Sequence, residues 1–482
     1  MSESVTDNSP YKLFIPNRGE IVKRVARTAR LMGFKPYGLV AQGDLALDYK
    51  NSLEDFEVFD ERVENWYLSI EKIRDSAKKF GCSFLHPGYG FLSENPLLSK
   101  MCWDNDIVFI GPSPECLKLC GDKQVCKESI KDFVTLPPSF KFDKLDDTTL
   151  KILASNLPLI IKARLGGGGR GMRIVRVLRD FEAALSECLS EASYFGGGDL
   201  IFERFLQKCK HVEFQVASCE HKVVILGTRD CTIQRRHQKI IEEAPSGIDQ
   251  NLYDETACKL QKFFKQIDYR GLATVEFLFD GENLYFLEIN PRIQVEHTVT
   301  EEIFKVDLVK TQLEIAVENN FNLRDSACGH SIQCRLNAES SLDFTPSSGK
   351  FERLLFPNCR IENTYSEGNE INPNFDSLAA KIIVTGTDRD NAIKKMIKCL
   401  IDLEIKGPDT NQALLLRILA SNDFISNSHT TDWLEERIQV WNLSEFDTFL
   451  GTRDMGVETN RYKGFYWQVD SNNRLKIDFK PI

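Results

Sequence analysis

The pattern of apolar and polar residues near the start of the chain alternates between strand-like and helical stretches. Residues 12–16 form a short apolar run typical of a buried strand, and residues 20–32 carry apolar positions at helical spacing before Gly33. Residues 35–41 predict a second strand, and later apolar runs continue the alternation. Strands that alternate with helices are typical of a mostly parallel sheet, so we predict an open α/β domain over residues 11–112.

The rest of the chain divides into four further segments. Residues 113–137 have a helical pattern and predict a linker, and residues 138–205 predict a second, smaller unit. Residues 206–450 are richer in strand-like runs. Residues 452–482 contain two alternating runs around a Ser-Asn-Asn turn and predict a hairpin. The expected fold class is therefore mixed α/β and α+β.

The composition is that of an ordinary globular chain, with 482 residues of which 42% are hydrophobic and 27% charged. The net charge is −10 and no basic stripe occurs, which argues against nucleic acid and against a membrane surface as partners. The first ten residues are polar and acidic, unlike a secretory signal or a mitochondrial presequence, so we expect a cytoplasmic protein. The 14 cysteines are scattered without a CxxC pair, and we expect most of them to be small buried residues.

A glycine-rich segment, Gly166-Gly167-Gly168-Gly169-Arg170-Gly171, lies between two strand-like runs. A dinucleotide-binding loop leads from a strand into a helix, whereas residues 172–177 alternate like a strand. The segment therefore predicts a hairpin whose glycine flap turns backbone N–H groups toward nucleotide phosphates, with Lys162 placed to reach a phosphate. A Walker A loop is excluded because no Gly-Lys-Ser/Thr follows. A flexible linker is the alternative, and four consecutive glycines within a β-prone hairpin argue against it.

Two carboxylates lie on a second predicted hairpin, whose loop length decides where they point. A two-residue loop would place Glu276 opposite Leu287, with Glu288 on the other face of the hairpin. A three-residue loop at 281–283 would place Glu276 directly opposite Glu288, close enough to share Mg²⁺. We predict the three-residue loop, because it also gathers one apolar face, made of Val275, Phe277, Phe279, Tyr285, Leu287 and Ile289. A solvated carboxylate pair without a metal is the alternative.

The segment Asn290-Pro-Arg-Ile-Gln-Val-Glu-His297 follows this hairpin directly. If it alternates like a strand, Arg292, Gln294 and Glu296 lie on one side. A cation, an amide and a carboxylate beside a metal site suit the binding of a small oxyanion and the removal of its proton. An ordinary salt-bridged loop is the alternative.

Together these motifs resemble the biotin carboxylase family, the ATP-grasp component of biotin-dependent carboxylases. The resemblance covers about residues 11–445 and is carried by long motifs in order. They include Asn17-Arg-Gly-Glu-Ile, His86-Pro-Gly-Tyr-Gly-Phe-Leu-Ser-Glu-Asn, the glycine flap, His211-Val-Glu-Phe-Gln-Val, Arg229-Asp-Cys-Thr-Ile-Gln-Arg-Arg-His-Gln-Lys, Glu288-Ile-Asn-Pro-Arg-Ile-Gln-Val-Glu-His and Cys334-Arg-Leu-Asn-Ala-Glu. It implies an ATP-grasp fold with an N-terminal parallel-sheet domain, a mobile lid over 138–205 and a C-terminal strand-rich domain.

The resemblance also implies a role for each candidate site residue. The residues implied to bind ATP are Lys123, Lys162, Gly168, Gly169, Glu203, Leu206, His211, Gln234, His237 and Leu278. Those implied to hold Mg²⁺ (or Mn²⁺) are Glu276, Glu288 and Asn290. Those implied to bind bicarbonate are Lys239, Arg292, Gln294 and Val295. Glu296 would take the proton of bicarbonate, Arg335 would stabilise the biotin enolate, and Tyr89 would lie beside biotin.

The implied reaction begins when carbonate attacks the γ-phosphate of ATP. The resulting carboxyphosphate breaks down to CO₂ and phosphate, the phosphate deprotonates N1′ of biotin, and N1′ is carboxylated. No Met-Lys-Met biotinylation motif is present, so we expect biotin on a separate carrier protein. A carboxyltransferase subunit is the second expected partner, and a homodimer is the expected oligomer. The expected final acceptor is an acyl-CoA, with acetyl-CoA as the first candidate.

Two other functions use the same motifs. A regulatory or scaffold subunit would keep the fold without turnover, but buried charged site residues are costly to retain without a function. Another ATP-grasp ligase, which would form carbamoyl phosphate or a peptide bond, is disfavoured by the motifs around residues 229–239 and 294–297. Four positions depart from the family's usual pattern, and those at the flap entrance predict a stiffer flap. They are Pro16, Arg164, Leu165 and Pro408.

Overall fold

A computed structural model describes the chain over most of its length. The described residues are 11–140, 147–164, 171–194, 199–323, 326–340, 344–441, 461–462, 465–469 and 475–479. Within these ranges, no helix combines the length and the apolar character that crossing a membrane requires.

Five parallel strands form the N-terminal sheet, in the spatial order β3-β2-β1-β4-β5. They are β1 (Lys12–Ile15), β2 (Lys35–Ala41), β3 (Asp55–Phe59), β4 (Phe84–Leu85) and β5 (Val108–Phe109). The helices of this part are α1 (Glu20–Leu31), α2 (Ile70–Phe80) and α3 (Pro96–Asp104), with 3₁₀ turns at Gln42–Asp44, Asp48–Ser52 and Trp66–Leu68. The predicted open α/β architecture is confirmed. The first helix ends where expected, because Gly33 beyond its last turn has a φ of 84°.

Two short helices follow the N-terminal sheet. They are α4 (Pro114–Gly121) and α5 (Lys123–Ile130). The hydroxyl of Ser113 caps the first, and the carboxylate of Asp122 accepts from two backbone N–H groups at the start of the second. The helical pattern predicted for this stretch is confirmed.

A separate four-stranded sheet contains the strands on either side of the glycine flap, in the order β6-β9-β7-β8. Its elements are β6 (Ser139–Phe140), α6 (Asp147–Ser155), β7 (Leu159–Ala163), β8 (Met172–Val175), a 3₁₀ turn (Leu178–Asp180), α7 (Phe181–Tyr194) and β9 (Leu200–Arg204). β7 and β8 pair antiparallel, with Lys162 opposite Met172. The flap is therefore flanked by two strands, as predicted. Gly168 and Gly169 lie outside the described residues.

An antiparallel sheet of eight strands forms the centre of the molecule, in the order β14-β13-β10-β11-β12-β15-β18-β17. The strands from residue 210 onward are β10 (Lys210–Cys219), β11 (Lys222–Arg235), β12 (Gln238–Ala244), β13 (Gly271–Phe279), β14 (Leu284–Asn290), β15 (His330–Asn337), β16 (Arg353–Leu355), β17 (Arg360–Asn363), β18 (Leu378–Gly386) and β19 (Glu404–Lys406). Of these, β16 and β19 pair only with each other. The predicted richness in strands is confirmed.

Helices pack around this central sheet, and all of them except α8 contribute buried residues to the largest apolar core. They are α8 (Gln250–Gln266), α9 (His297–Phe304), α10 (Leu308–Glu318), α11 (Arg389–Asp402), α12 (Gln412–Leu419), α13 (Asn422–Ile425) and α14 (Trp433–Val440). Most of the cysteines are buried and all are free thiols, which agrees with the sequence prediction, although Cys258 and Cys328 are exposed.

The hairpin of β13 and β14 pairs Glu276 with Glu288 as predicted, but its loop is not the predicted one. The N–H of Asp280 donates to the carbonyl of Asn283 at 3.2 Å. The loop is therefore the two-residue alternative rather than the three-residue loop at 281–283. With that loop alone, the two glutamates would lie on opposite faces.

A β-bulge restores the pairing. The register shifts by one residue between the Phe277–Phe286 pair and the Glu276–Glu288 pair, which leaves Leu287 as the extra residue. Sequence pattern alone did not indicate this bulge.

The bulge also corrects the predicted apolar face of this hairpin. Tyr285 and Leu287 are half-buried and do not belong to the core. The hairpin residues buried in the core are Val275, Phe277, Leu284, Phe286 and Ile289.

The tail contains the predicted hairpin. β21 (Phe465–Val469) and β22 (Leu475–Phe479) pair antiparallel, and β20 (Arg461–Tyr462) adds a third strand.

Candidate active site

Three glutamates lie side by side across the central sheet, and we call them the carboxylate row. Glu213 of β10 is opposite Glu276 of β13, which is opposite Glu288 of β14. Directly opposite residues project from the same face, and such a row repels itself unless cations lie among its members. Sequence reasoning missed Glu213. The alternation of His211, Glu213 and Gln215 is the signal that could have found it.

Lys239 of β12 supplies a cation to the carboxylate row. Its Nζ donates to Glu276 Oε1 at 2.8 Å and to Glu296 Oε1 at 2.7 Å, and it also contacts Glu213. Burial alone would lower the pKa of Lys239, but these three carboxylates outweigh it and raise the pKa well above the ordinary value. The ammonium group is therefore charged throughout the physiological range.

Glu296 is the carboxylate on which two cations converge. Its Oε1 accepts from Lys239, and its Oε2 accepts from Nη2 of Arg335 at 3.1 Å. Arg335 is oriented in turn by Glu242, whose Oε1 lies 2.5 Å from its Nε. Burial would raise the pKa of Glu296, but Lys239 and Arg335 lower it overall. Glu296 is thus a buried but ionised carboxylate, which is the state a general base requires.

Arg229 of β11 is a fully buried scaffold residue that sequence reasoning quoted only as the start of a motif. A guanidinium has five N–H groups, and here each has an acceptor oxygen within 3.0 Å. The acceptors belong to Glu213, Gln215, Thr274, Gln294 and Thr300. One side chain therefore fixes four elements around the site, namely β10, β13, α9 and the turn that precedes α9.

The three predicted metal ligands lie together at the end of the carboxylate row. Nδ2 of Asn290 lies 2.9 Å from Glu276 Oε1 and 3.4 Å from Glu288 Oε1. Burial and the charge of Glu276 raise the pKa of Glu288 although Lys123 and Lys239 oppose the rise, so the negative charges at this end of the row are not fully offset. A divalent cation with oxygen ligands would offset that repulsion. The residues present therefore fit the implied metal.

The segment after β14 brings its predicted residues to the site, but not as a strand. Residues 291–296 form bends and turns. Nε2 of Gln294 donates to Glu276 Oε1 at 3.0 Å, and Nη2 of Arg292 donates to Asn290 Oδ1 at 3.2 Å. The turn therefore brings Arg292, Gln294 and Glu296 together, and the predicted strand alternation of this segment is wrong. Arg292 also pairs through Nε with Glu94 of the N-terminal part at 2.6 Å.

Three lysines gather beside this site and create a place for an anion. Nζ of Lys162 lies 2.8 Å from Glu203 Oε2, and Lys127 contacts the other oxygen of Glu203. Burial lowers the pKa of Lys123, the nearby Lys162 adds to this effect, and Glu288 opposes it. Because the positive charges of these lysines repel one another, binding a negatively charged group such as a phosphate among them is favourable.

Lys127 is a residue that sequence reasoning missed. It lies one helical turn beyond Lys123 in α5, so the two side chains share a helix face. That i, i+4 spacing is the signal that could have found it.

The residues assigned to the remainder of the nucleotide occupy adjacent strands and turns. His211 of β10 is opposite Leu278 of β13, and the amide nitrogen of Gln234 lies 2.7 Å from Nδ1 of His211. Leu206 is half-buried just after β9, and His237 is exposed in the turn between β11 and β12. Their roles stay predictions.

Arg164 at the entrance of the flap is tied to its surroundings. Its Nε and Nη2 donate to the carboxylate of Asp122 at 2.8–3.0 Å, and its Nη1 donates to Asp199 at 3.0 Å. Asp122 also caps α5, so these bonds join the flap strand to that helix. They support the expectation of a stiffer flap entrance, which stays a prediction.

Tyr89 lies in another part of the site, at a cavity of about 140 Å³ between the N-terminal part and the central sheet. The cavity is also lined by Glu20, Thr364 and Asp376. The hydroxyl of Tyr89 donates to Glu20 Oε1. Val295, predicted to bind bicarbonate, lies in the turn before Glu296 and is half-buried.

His211 gives the site a pH-dependent contribution to stability. Its Nε2 lies 3.0 Å from Glu276 Oε2 and 3.4 Å from Glu213 Oε1. Burial would lower the pKa of His211, but these carboxylates raise it to about 9. Because the folded pKa exceeds the unfolded one, the stabilisation is complete below about pH 6.5 and is lost as the pH rises through about 9.

We therefore expect His211→Gln to cost about 3 kcal/mol of unfolding free energy near pH 6, progressively less as the pH rises from about 6.5 to about 9, and little above that. Denaturant unfolding of both proteins across this pH range measures the difference. The exposed His221→Gln is the matched control and should change little at any pH. A cost for His211→Gln that is constant from pH 6 to 10 would contradict the assignment.

Models of three protein families match successive parts of the chain. The biotin carboxylase N-terminal domain matches residues 9–117. The ATP-binding domain of the carbamoyl-phosphate synthase L chain matches residues 122–324. The biotin carboxylase C-terminal domain matches residues 333–436.

Full-length relatives show the same similarity. The chain is 37% identical over 443 residues to a biotin carboxylase of Halalkalibacterium halodurans, and this match covers 89% of this chain and 98% of the relative. It is 38% identical over 454 residues to the 2-oxoglutarate carboxylase small subunit of Hydrogenobacter thermophilus, with 90% and 95% covered.

Two solved structures superpose on most of the chain. The first is the biotin carboxylase domain dimer of Hydrogenobacter thermophilus 2-oxoglutarate carboxylase with MgADP, ADP and bicarbonate. It matches with a TM-score of 0.85 at 36% identity and covers 90% of this chain and 99% of that one. A complex of biotin carboxylase with β-γ-ATP from Campylobacter jejuni matches with a TM-score of 0.84 at 35% identity, and the match covers 89% of this chain and 99% of that one.

Proposed function

The chain belongs to the biotin carboxylase family, and on that premise we propose that the site around Lys239 activates bicarbonate with ATP and carboxylates biotin on a separate carrier protein. The fold is that of an ATP-grasp enzyme, and the chain is an ATP-dependent ligase of the biotin carboxylase type. The observation that carries the proposal is the buried Glu296 carboxylate held between Lys239 and Arg335, beside a carboxylate row suited to a metal.

Glu296 has the position and charge of the base that deprotonates bicarbonate. Its ionised oxygen accepts the proton, and the ammonium of Lys239 offsets the negative charge that builds up on the resulting carbonate. The turn before α9 adds Arg292 and Gln294 as donors for the same small anion. With Arg335 on its other oxygen, Glu296 is held in one orientation before and after it takes the proton.

The phosphates of ATP would lie against Lys123 and Lys162, with Lys127 beside them. Lys127 and Lys162 pair with Glu203, and Glu288 acts on Lys123. Three positive charges therefore face two carboxylates, and a phosphate would supply further negative charge. Glu276, Glu288 and Asn290 would hold Mg²⁺, which when bound neutralises phosphate charge.

Biotin would enter at the cavity lined by Tyr89. Arg335 contacts Glu296, and its positive charge opposes the rise that burial causes in the pKa of Tyr89. A fixed cation there suits the negative oxygen that forms on the ureido ring when its N1′ loses a proton.

The first test is ADP release by the purified chain with ATP, Mg²⁺, bicarbonate and free biotin. We expect turnover that requires bicarbonate and is stimulated by biotin. Reactions that lack one component at a time are the controls. A chain that binds ATP and never turns over would instead support the regulatory or scaffold subunit.

The proposed reaction requires a partner that carries biotin. Biotin reaches the site on a carrier. One relative is the small subunit of a carboxylase, and one similar solved structure is a biotin carboxylase domain dimer. The carboxyltransferase partner and the dimer of this chain are our proposals, as is a cytoplasmic location.

An acyl-CoA, first acetyl-CoA, is the acceptor we propose. The named relatives include subunits of 2-oxoglutarate and pyruvate carboxylases, so both keto acids belong in the same assay. Purifying the chain with its native partners and offering each acceptor with labelled bicarbonate identifies the product. Label in a keto acid and not in an acyl-CoA would overturn this part of the proposal.

A further inference from the structure

Lys381 of β18 is a lysine with no exposed side-chain surface. Its Nζ lies 2.9 Å from Glu20 Oε1 and donates to the carbonyl oxygen of Val295 at 3.1 Å. A buried ammonium group without partners would carry a large desolvation penalty, so these oxygens fix its position. None of the motifs in the sequence drew attention to this residue.

One branch of contacts from Lys381 leads to the cavity at Tyr89. Glu20 begins α1, and its Oε1 accepts from both Lys381 and the hydroxyl of Tyr89. Among the described residues, the other oxygen of Glu20 is buried without a hydrogen-bond partner, and Glu20 lines the cavity. The orientation of the Tyr89 ring therefore depends on a carboxylate that Lys381 holds in place.

The other branch leads to the base. Val295 immediately precedes Glu296, and its carbonyl accepts from Lys381. Lys381 is also directly opposite Arg335 across β15 and β18, so the two side chains share a face of the sheet. Lys381 thus contacts the backbone that carries Glu296 and lies beside the arginine that orients it.

We propose that Lys381 is a positioning residue that holds the Val295–Glu296 turn and the Tyr89 ring in a fixed relation. The bicarbonate site and the biotin cavity would then be built against one buried ammonium group. This inference rests on the proposed function of the site. The competing interpretation is a salt bridge that only stabilises the contact between α1 and the central sheet.

Lys381→Met separates the two interpretations by its effect on individual substrates. We expect KM to rise about tenfold for bicarbonate and for biotin, because each site loses a charge-assisted hydrogen bond that fixes one wall. KM for ATP should change by less than about twofold, since Lys162 pairs with Glu203, whereas Lys381 pairs with Glu20 and the Val295 carbonyl. A residue that is only structural would lower the melting temperature and leave all three KM values unchanged.

Two further variants sharpen the test. Tyr89→Phe removes one hydroxyl and should raise KM for biotin alone, so it remains informative if Lys381→Met does not fold. Lys398→Met is the matched control, because this lysine of α11 is 76% exposed and pairs with Asp402 on the same helix. It should leave every kinetic constant unchanged.

The outcome for Lys381 can be told apart from the outcome for the proposed function. Loss of the proposed function would show as a wild-type chain without turnover. Crystal structures of the wild type and Lys381→Met then decide the positioning role on their own. A displaced Val295 carbonyl and a rotated Tyr89 support the inference. Unchanged positions of both groups, or unchanged KM values in an active enzyme, overturn it.

Discussion

Glu296→Gln is expected to lower bicarbonate-dependent turnover by about 10²–10⁴-fold, the range that a positioned general base contributes. The substitution keeps the size of the side chain and one oxygen that can accept from Lys239 or Arg335, but the amide cannot take the proton and its NH₂ group cannot accept from the second cation. ATP binding should be unchanged, because the lysines near Glu203 do not contact Glu296. ADP release at saturating substrates measures the first effect, and nucleotide titration measures the second.

The pH dependence adds a second readout for Glu296. Lys239 and Arg335 hold its pKa below the ordinary value against the effect of burial. The base is therefore ionised throughout the neutral range, and raising the pH should not rescue Glu296→Gln. Glu318→Gln on the exposed end of α10 is the matched control and should keep full activity. Retention of more than about a tenth of the wild-type rate by Glu296→Gln would remove it as the base.

Lys239→Met is expected to affect both stability and activity. It leaves Glu213, Glu276 and Glu296 buried without their shared cation, and breaking a buried charge cluster in this way costs about 3–5 kcal/mol. Turnover should also fall by about 10²–10³-fold, since the lost charge would face the developing carbonate. Denaturant unfolding and ADP release measure the two effects.

Acid should partly rescue the stability of Lys239→Met. Without the ammonium group, the buried carboxyl groups have folded pKa values above their unfolded ones, so the variant regains stability as the pH falls and protons replace the missing cation. Lys259→Met is the matched control, because Lys259 pairs with Glu255 on the exposed face of α8. A Lys239→Met protein as stable as the wild type at neutral pH would contradict the assigned charge cluster.

Local sequence patterns predicted the elements of the fold but not how distant residues meet. The alternation near the N-terminus predicted the parallel sheet, since each element there repeats a simple period. The β13–β14 hairpin shows the limit. Its loop was assigned three residues to pair the carboxylates, whereas the molecule pairs them through a bulge at Leu287. A bulge reverses the alternation beyond it, but Tyr285 and Leu287 are apolar like their neighbours Leu284 and Phe286, so the pattern along β14 does not show where the phase changes.

The polar part of the site was predicted where it lies close in sequence and missed where it does not. Residues 290–297 were identified together because they are contiguous. Glu213, Arg229 and Lys381 were not singled out, although each is buried and makes several bonds in the site. Their importance arises from partners on other strands, which a single sequence does not reveal. For residues inside the quoted motifs, the resemblance to biotin carboxylases implied roles that the pattern of this single sequence could not indicate.

Bicarbonate that attacks ATP in this site would leave one of its oxygens on the released phosphate, so oxygen transfer distinguishes this reaction from the attack of water on ATP. Turnover with ¹⁸O-labelled bicarbonate in ordinary water places one bicarbonate oxygen on the phosphate that is released, because that oxygen forms the new bond to phosphorus. Mass spectrometry of the phosphate after a few turnovers should therefore show one ¹⁸O atom per molecule. Phosphate without the label would mean that water attacks ATP, and it would contradict the account.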